Sequence, residues 1–295
     1  MTRLTSEHLL DGFDERGFSQ FLSKQLHTDI FHLTCRAWDL DPKKLASKLK
    51  MKKLAAIRIS SGEGTITGFA EIVAEAASLM GLLAEVMEAP DDEGFIEAHN
   101  WGADILAYSD DWDFVAQTAD KSRTIHNNPA TSRIYVSSLE FLVGTSLKGL
   151  DVLVWGLGPV GLGAAFRLSE LKAKVHLYDT DQGALLKGEK LIPGASSIKG
   201  EGALLDYLKN YQKPIIFEAV PQEELIGSLS LESLFEGKAP RVAAPGVPLS
   251  WPFNWLKGEN GSLFHEPLMA GTASMLAGLC VEDYSPQYGK ALEIL

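Results

Sequence analysis

Gly156, Gly158 and Gly161 follow the order G-x-G-x-x-G in the stretch VWGLGPVGLGAAFRL, between an apolar run that reads as a strand and a run that reads as a helix. A strand before it and a helix after it are the context in which such a turn cradles phosphates. Gly156 permits the tight turn, Gly158 lets the main chain approach a pyrophosphate, and Gly161 allows the helix to pack closely on the strand. The helix N-terminus supplies N–H groups and partial positive charge. The whole turn, comprising Gly156, Leu157, Gly158, Pro159, Val160 and Gly161, is therefore expected to contact a dinucleotide. Asp179 ends the next strand, KVHLY, 18 residues beyond Gly161. A carboxylate there can accept hydrogen bonds from ribose hydroxyls and repels a 2′-phosphate, and no arginine follows it nearby. NAD is expected rather than NADP. The plainer alternative is a turn that packs helix on strand and binds nothing.

Ligands of a doubly wound sheet sit beyond the carboxyl ends of its strands, so the residues following each strand are the next candidates. After the glycine turn these are EAVP with Pro221, APGVP with Pro245, and HEPL with Glu266. Before it they are SSGEG with Ser61, SDD with Asp110, and NNP with Asn128. Each also reads as plain structure. SSGEG can be a tight turn, SDDWD a solvated acidic loop, and HEP a loop with an exposed glutamate. NNP can be a turn and helix cap, with Asn128 pushed out of the α region by Pro129. Their joint position at the strand ends of two neighbouring sheets favours a site. His126 and His265 are the histidines beside these loops, and no histidine has a spacing that suggests a metal.

The elements that must hold these residues form two alternations. The N-terminal part reads as amphipathic helices, and Asp41 and Pro42 mark a cap and a first helical position. From Leu54 a β-α-β-α-β order predicts a small parallel sheet, and Pro129–Thr145 reads as a long helix leaving it. From Asp151 a second alternation carries the glycine turn at its first strand-to-helix junction, and GTASMLAGL closes it as a helix. The fold class is α/β: N-terminal helices with a small parallel βαβ sheet, residues 1–148, followed by a Rossmann-type doubly wound NAD-binding domain, residues 149–295.

A chain of 295 residues accommodates two cores, and 45% hydrophobic with 22% charged residues is ordinary for a globular protein. The formal charge of −12 argues against non-specific nucleic-acid binding. The opening MTRLTSEHLLDGFDERGF carries acids early and no uninterrupted apolar core, so no signal peptide is expected, and no apolar run suggests a membrane span. Cys35 and Cys280 do not make a disulfide framework or a zinc site. The expectation is a soluble cytoplasmic protein that needs no metal. A homodimer is left open.

The segments SSGEGTITGFAE, YSDDWDFVA, IHNNPATSRIY, VLVWGLGPVG, YDTD, IIFEAVP, APGVP and EPLMAGTASML occur in an order that resembles the dehydrogenase completing pyrrolysine biosynthesis, the pyrrolysine synthase family. The resemblance runs from about Ile57 to Leu276, and EPL-x-x-GTASML with NN-P is its specific part. It implies oxidation, with NAD, of the terminal CH2–NH2 of 3-methyl-D-ornithine joined through its carboxyl to the ε-amine of L-lysine. Loss of ammonia as the ornithine α-amine closes on that carbon then gives the pyrroline ring. Carried over by motif, Ser61, Asp110 and Asn128 line the substrate site, and Glu266 is placed there with them. Leu4, in a short LT match, stands where the family has an N-terminal helix that rearranges over substrate. The first fifty or so residues match poorly, the stretch from Lys187 to Gln212 is longer than the resemblance implies, and a tail extends beyond it.

The residue types agree with that chemistry. A substrate rich in amines suits acids in its site. Asp110 can orient the ammonium and accept its proton, and Ser61 and Asn128 can position the chain, though the residue types leave open which group is the base. Two other readings remain: an NAD-dependent dehydrogenase of another diamino acid or imine, and an NAD-sensing regulator, for which no basic helix is visible.

Overall fold

The computed structural model describes residues 15–61, 66–220, 222, 235, 238–251 and 262–281. It divides into two compact units. The first runs through Ile134 and resumes at Glu266, and the second spans Tyr135–His265.

In the first unit, α1 (Glu15–Phe21) continues into a π-helical turn over Leu22–Leu26. α2 (Ile30–Ala37) is capped by Asp29, whose carboxylate accepts from the His32 N–H at 2.8 Å. α3 (Pro42–Leu49) has the expected cap, with Asp41 accepting from the Lys44 N–H at 3.0 Å and Pro42 in the first helical position. β1 (Lys53–Ile57), α4 (Phe69–Leu79), β2 (Leu83–Val86), α5 (Asp91–Trp101) and β3 (Ile105–Ser109) form the alternation, with β1 parallel to β2 and to β3.

The sheet does not stop there. β4 (Phe114–Thr118) and β5 (Thr124–His126) add to it antiparallel, giving the order β2-β1-β3-β4-β5. The link from β3 to β4 is only Asp110–Asp113, too short for the crossover that a parallel neighbour needs. The expected parallel sheet thus holds for its three strands, and two antiparallel strands that the sequence did not announce extend it. α6 (Asn127–Val143) follows β5 directly, so Asn127 and Asn128 lie inside its first turn, where Pro129 is tolerated because first-turn N–H groups have no helical partner.

The second unit is a six-stranded parallel sheet of β6 (Asp151–Trp155), β7 (Lys174–Tyr178), β8 (Ser196–Ser197), β9 (Ile215–Glu218), β10 (Arg241–Ala243) and β11 (Ser262–Phe264). Between them run α7 (Pro159–Glu170), α8 (Gln182–Leu191) and α9 (Glu201–Asn210). The order β11-β10-β9-β6-β7-β8 is the Rossmann order, two halves meeting at β6 and β9. Leu153, Ile216, Leu204, Val242 and Leu263 fill its core.

The last described helix, α10 (Met269–Gly278), is buried at every position. A division after residue 148 would assign it to the second unit. Its contacts are with α2, α4, β4 and β5, so it completes the first. The Trp38 Nε1–H donates to the Ser274 hydroxyl at 3.0 Å, which donates to the Ala130 carbonyl at 2.7 Å. Lys48 Nζ reaches the Cys280 carbonyl at 2.8 Å, and the Arg123 guanidinium reaches the Leu279 carbonyl at 2.7 Å. Among the described residues no helix is long and apolar enough to cross a membrane.

Candidate active site

In the second unit, Gly156 leaves β6 with φ +92°, and a Cβ there would lie 2.9 Å from the Ala219 carbonyl. At Gly161 a Cβ would come within 1.8 Å of the Gly156 oxygen. Both glycines are demanded by close backbone contacts, one with the β9 end and one within the turn itself. Gly158 is different. A Cβ there would meet nothing within 4 Å, and Gly158 opens α7 with no side-chain cap. Gly158 and Pro159 are exposed, Val160 is half-buried, and the Leu157 side chain is in the core, so this turn can offer a ligand its backbone only. An open cradle at the N-terminus of a 12-residue helix fits a pyrophosphate.

Asp179 is half-buried beside that turn. Its Oδ2 accepts from the Leu157 N–H at 2.7 Å and its Oδ1 from the Asp181 N–H at 2.8 Å. It braces the glycine turn, and each oxygen keeps a second lone pair for a ribose hydroxyl. Pro245 follows β10, where Gly246 lies against Val220, a Cβ at Gly246 falling 2.9 Å from the Val220 oxygen. Pro221 lies outside the described residues, as does Leu4.

The segment EAVP opens with a residue to which the sequence reading gave no role of its own. Glu218, across from Trp155 in the β6–β9 register, is fully buried. Its Oε1 accepts from the Val220 N–H, and its Oε2 has no partner among the described residues. Burial pushes its carboxyl up to about 8, against the opposing pull of the Val220 N–H, Ser250 and Trp251. A single acid within the apolar run IIFEAV was the available signal.

In the first unit, Ser61 is exposed just after β1, and residues 62–65 of its loop lie outside the described residues. Its neighbour Ser60 donates its N–H to Asp91 Oδ1 at 2.8 Å, and bonds from Ser60 hold the Asp91 carboxyl below its ordinary range. β1 and β3 pair with Ile57 opposite Tyr108, so the Ser61 loop and the Asp110 loop leave adjacent strand ends.

Asp110 makes the β3–β4 turn. Its Oδ1 accepts from the N–H groups of Trp112 at 2.7 Å and Asp113 at 2.8 Å, and its own N–H donates to the Asp113 carbonyl at 3.0 Å. Oδ2 has no hydrogen bond among the described residues. Burial, then the charges of Asp110 and Asp113, push the Tyr108 hydroxyl up. Asp113 Oδ2 in turn pairs with Nδ1 of His126. That contact ties the hairpin turn to the residue just before Asn127 and Asn128. The Asn128 carbonyl accepts from the Ser132 hydroxyl at 2.9 Å, and its half-buried side-chain amide has no partner among the described residues.

Glu266 is not the exposed loop residue that HEP suggested. It is 3% exposed, and its carboxylate accepts from the N–H of Leu268 at 3.1 Å and of Ala270 at 2.7 Å, capping α10. Burial raises its carboxyl while these N–H groups pull the other way, and burial prevails. α10 sets Gly271 against α6: a Cβ at Gly271 would fall 2.6 Å from Asn127 Oδ1. Asp110, Asp113, His126 and Asn128 are thus joined through one hairpin and the helix it feeds, and the helix that Glu266 caps meets that start at Asn127 through Gly271. His265 is engaged with the Ala244 carbonyl at 2.7 Å.

The family model for the N-terminal domain of the pyrrolysine biosynthesis protein PylD matches residues 17–125. Over 225 residues the chain is 30% identical to the pyrrolysine synthase of Methanosarcina acetivorans, covering 76% of this chain and 81% of the relative. The chain belongs to the pyrrolysine synthase family. The pyrrolysine synthase of Methanosarcina barkeri is likewise 30% identical over 225 residues, covering 76% of this chain and 80% of that one. Among solved structures, AroM of S. pombe, a dehydroquinate dehydratase and shikimate dehydrogenase, superposes with a TM-score of 0.52 at 13% identity over 88% of this chain and 55% of its own. That likeness speaks for the fold alone. Within the pyrrolysine synthase family, this member therefore joins an α/β dehydrogenase fold to an open glycine cradle and a hairpin rich in carboxylates.

Proposed function

We propose that this protein oxidises the terminal amine-bearing carbon of 3-methyl-D-ornithyl-N6-L-lysine and so forms the ring of pyrrolysine. The observation that carries the reading is its 30% identity to pyrrolysine synthases over 225 residues, a length that draws on both units. The open cradle at Gly158 supports a dinucleotide cofactor.

The backbone of Gly156, Leu157, Gly158, Pro159, Val160 and Gly161 would hold the cofactor's phosphates, with Pro221 and Pro245 flanking it. When bound, NAD supplies the acceptor for a hydride from the substrate carbon. Asp179 would take the ribose hydroxyls with its remaining lone pairs and disfavour a 2′-phosphate.

On the substrate side, Asp110 would pair with the terminal ammonium through Oδ2, its Oδ1 being committed to the turn. Asn128 and Ser61 would hold the chain so that the reacting carbon is presented in one orientation. Glu266 would act through α10, fixing the helix against which the Asn127–Asn128 turn is packed. Before the carbon can lose hydride, its ammonium must give up one proton, so that the nitrogen lone pair can form the C=N bond. The ornithine α-amine then attacks that carbon, the terminal nitrogen leaves as ammonia, and a five-membered ring with a C=N bond remains.

Following NADH absorbance with the dipeptide, with free ornithine, and with NADP in place of NAD tests the reading. Oxidation of the dipeptide with NAD is expected. Turnover of free ornithine alone would replace this reading with that of a general diamino-acid dehydrogenase, and no turnover of either would favour the sensor.

A further inference from the structure

Three loops at the carboxyl end of the second sheet meet backbone to backbone. β10, β9 and β6 lie side by side, and the residues that follow them stack in the same order. A Cβ at Gly246 would fall 2.9 Å from the Val220 oxygen, and one at Gly156 would fall 2.9 Å from the Ala219 carbonyl. Ala219 and Val220 are thus held between the Pro245 loop and the glycine turn, with no room for a side chain at Gly246 or Gly156.

Glu218 sets the angle of this stack. A peptide group is planar, so fixing its N–H fixes its C=O. The peptide joining Ala219 to Val220 turns its C=O to Gly156 and its N–H to Glu218 Oε1. The Val220 carbonyl accepts from the Ser250 hydroxyl at 2.8 Å and from the Gln222 N–H at 3.0 Å. β9 is buried at all four positions, where a carboxyl costs far more than an apolar side chain. What it secures is the orientation of one peptide.

A dinucleotide crosses a doubly wound sheet at its switch point, here between β6 and β9. In the reading above, the turn after β6 takes the pyrophosphate and Asp179, after β7, the adenosine ribose. The nicotinamide half then lies over β9 and β10, where Ala219, Val220 and Gly246 meet.

We propose that Glu218 is a positioning residue for the cofactor, an assignment that rests on that reading. It holds the Ala219–Val220 peptide as the floor beneath the nicotinamide riboside. Without the carboxyl, the Val220 N–H loses its acceptor and the peptide can rotate. The Val220 carbonyl then shifts against Gly246 and Ser250, on the β10 side. The adenosine half keeps its own supports: the open turn at Gly158, and Asp179, whose bonds to the Leu157 and Asp181 N–H groups do not involve β9.

Titration calorimetry with NAD and with ADP tests this, because ADP carries the adenosine and two phosphates but no nicotinamide riboside. Glu218→Ala should weaken NAD by about 10-fold, the scale of one buried N–H left without its acceptor, with ADP affinity within about 3-fold. Glu218→Gln keeps an oxygen in place of Oε1 and should restore NAD affinity to within about 2-fold of the unmodified protein. Unaltered NAD affinity in Glu218→Ala overturns the assignment. So does a parallel loss of NAD and ADP, which would make Glu218 a support of the whole unit. If Glu218→Ala does not fold, Ser250→Ala makes the same comparison from the other side of Val220. Weaker NAD with ADP unaltered supports the assignment there, and unaltered NAD overturns it. If the unmodified protein does not bind NAD, the cofactor reading itself falls and the assignment with it.

Discussion

The glycine turn after β6 and the hairpin turn after β3 both carry an aspartate bonded to backbone N–H groups, and they use it in opposite ways. Asp179 spreads two N–H bonds over its two oxygens and braces a turn whose binding surface is backbone. Asp110 gathers two N–H bonds on one oxygen and leaves the other without a hydrogen bond among the described residues. A site made of backbone is sensitive to added volume and nearly indifferent to side-chain charge. One made of side chains is the reverse. Substitutions that exchange volume for charge therefore separate the two regions.

The largest effects belong to the glycines, and they should split. Gly161→Ala forces a Cβ to within 1.8 Å of the Gly156 oxygen, so the turn itself must move. Calorimetry should find Tm lowered by roughly 10 °C, the consequence of about 3 kcal/mol of overpacking, with NAD binding lost. Gly158→Val places its side chain in open space, so Tm should hold while NAD affinity in titration falls by about 100-fold or more, ~2.7 kcal/mol. Unchanged NAD affinity in a folded Gly158→Val would mean the cradle holds no phosphate.

For the hairpin, charge rather than volume should decide. Asp110→Asn keeps shape and removes the partner of the ammonium, and kcat should fall by about 100-fold with NAD affinity unaltered. A variant that turned over normally across the pH range would make SDDWD a solvated turn. Asn128→Ala removes one or two positioning hydrogen bonds, and kcat/KM should drop by roughly 1–3 kcal/mol. Asp179→Ala lies between the two regions in character. It should weaken NAD by about 10-fold, ~1.4 kcal/mol, and narrow the preference over NADP, a contrast that paired titrations read directly.

The smallest effect is a pH slope. Glu218 has its carboxyl raised from 4.5 to about 8, so between those values the folded protein keeps a proton that the unfolded chain has released. Stability must decline as pH rises through that window and stay flat with respect to this group below it. Glu218→Gln removes the titration. Its Tm at pH 8 relative to pH 5 should fall by roughly 5 °C less than that of the unmodified protein. Parallel profiles would show that Glu218 is ionised throughout.

Much of this architecture could be read in advance because buried parallel strands appear as apolar runs, and LAAI, DVLVW and PIIF do so. β4 and β5 could not. They are short, and the acids of SDDWD and the polar residues of QTADKSRT hide their alternation. α10 reads as a helix from its composition, but a helix buried all round has no polar face to say which unit it joins.

The site divides along the same line. The glycine turn announces itself because its demands are on the backbone and lie within six residues. The Asp113–His126 pair spans 13 residues and is created by hairpin register, which spacing does not reveal. Glu266 illustrates the opposite failure. Its motif is visible, but burial at a helix start is a tertiary fact.

The placement of α10 also orders events in time. On the ribosome, the whole of Tyr135–His265 is made before Glu266 emerges, so the second unit has all of its described strands while the first still lacks its central helix. Until then the α2–α4 surface and the β4–β5 hairpin stand uncovered, and Trp38, Lys48 and Arg123 wait without Ser274, Cys280 and Leu279. The second unit can fold as it leaves the exit tunnel. The first can finish only after it, by long-range closure of sequence separations from the 156 between Arg123 and Leu279 to the 236 between Trp38 and Ser274. A nascent chain stalled before Glu266 would hold a second unit with its described strands complete and a first unit not yet assembled.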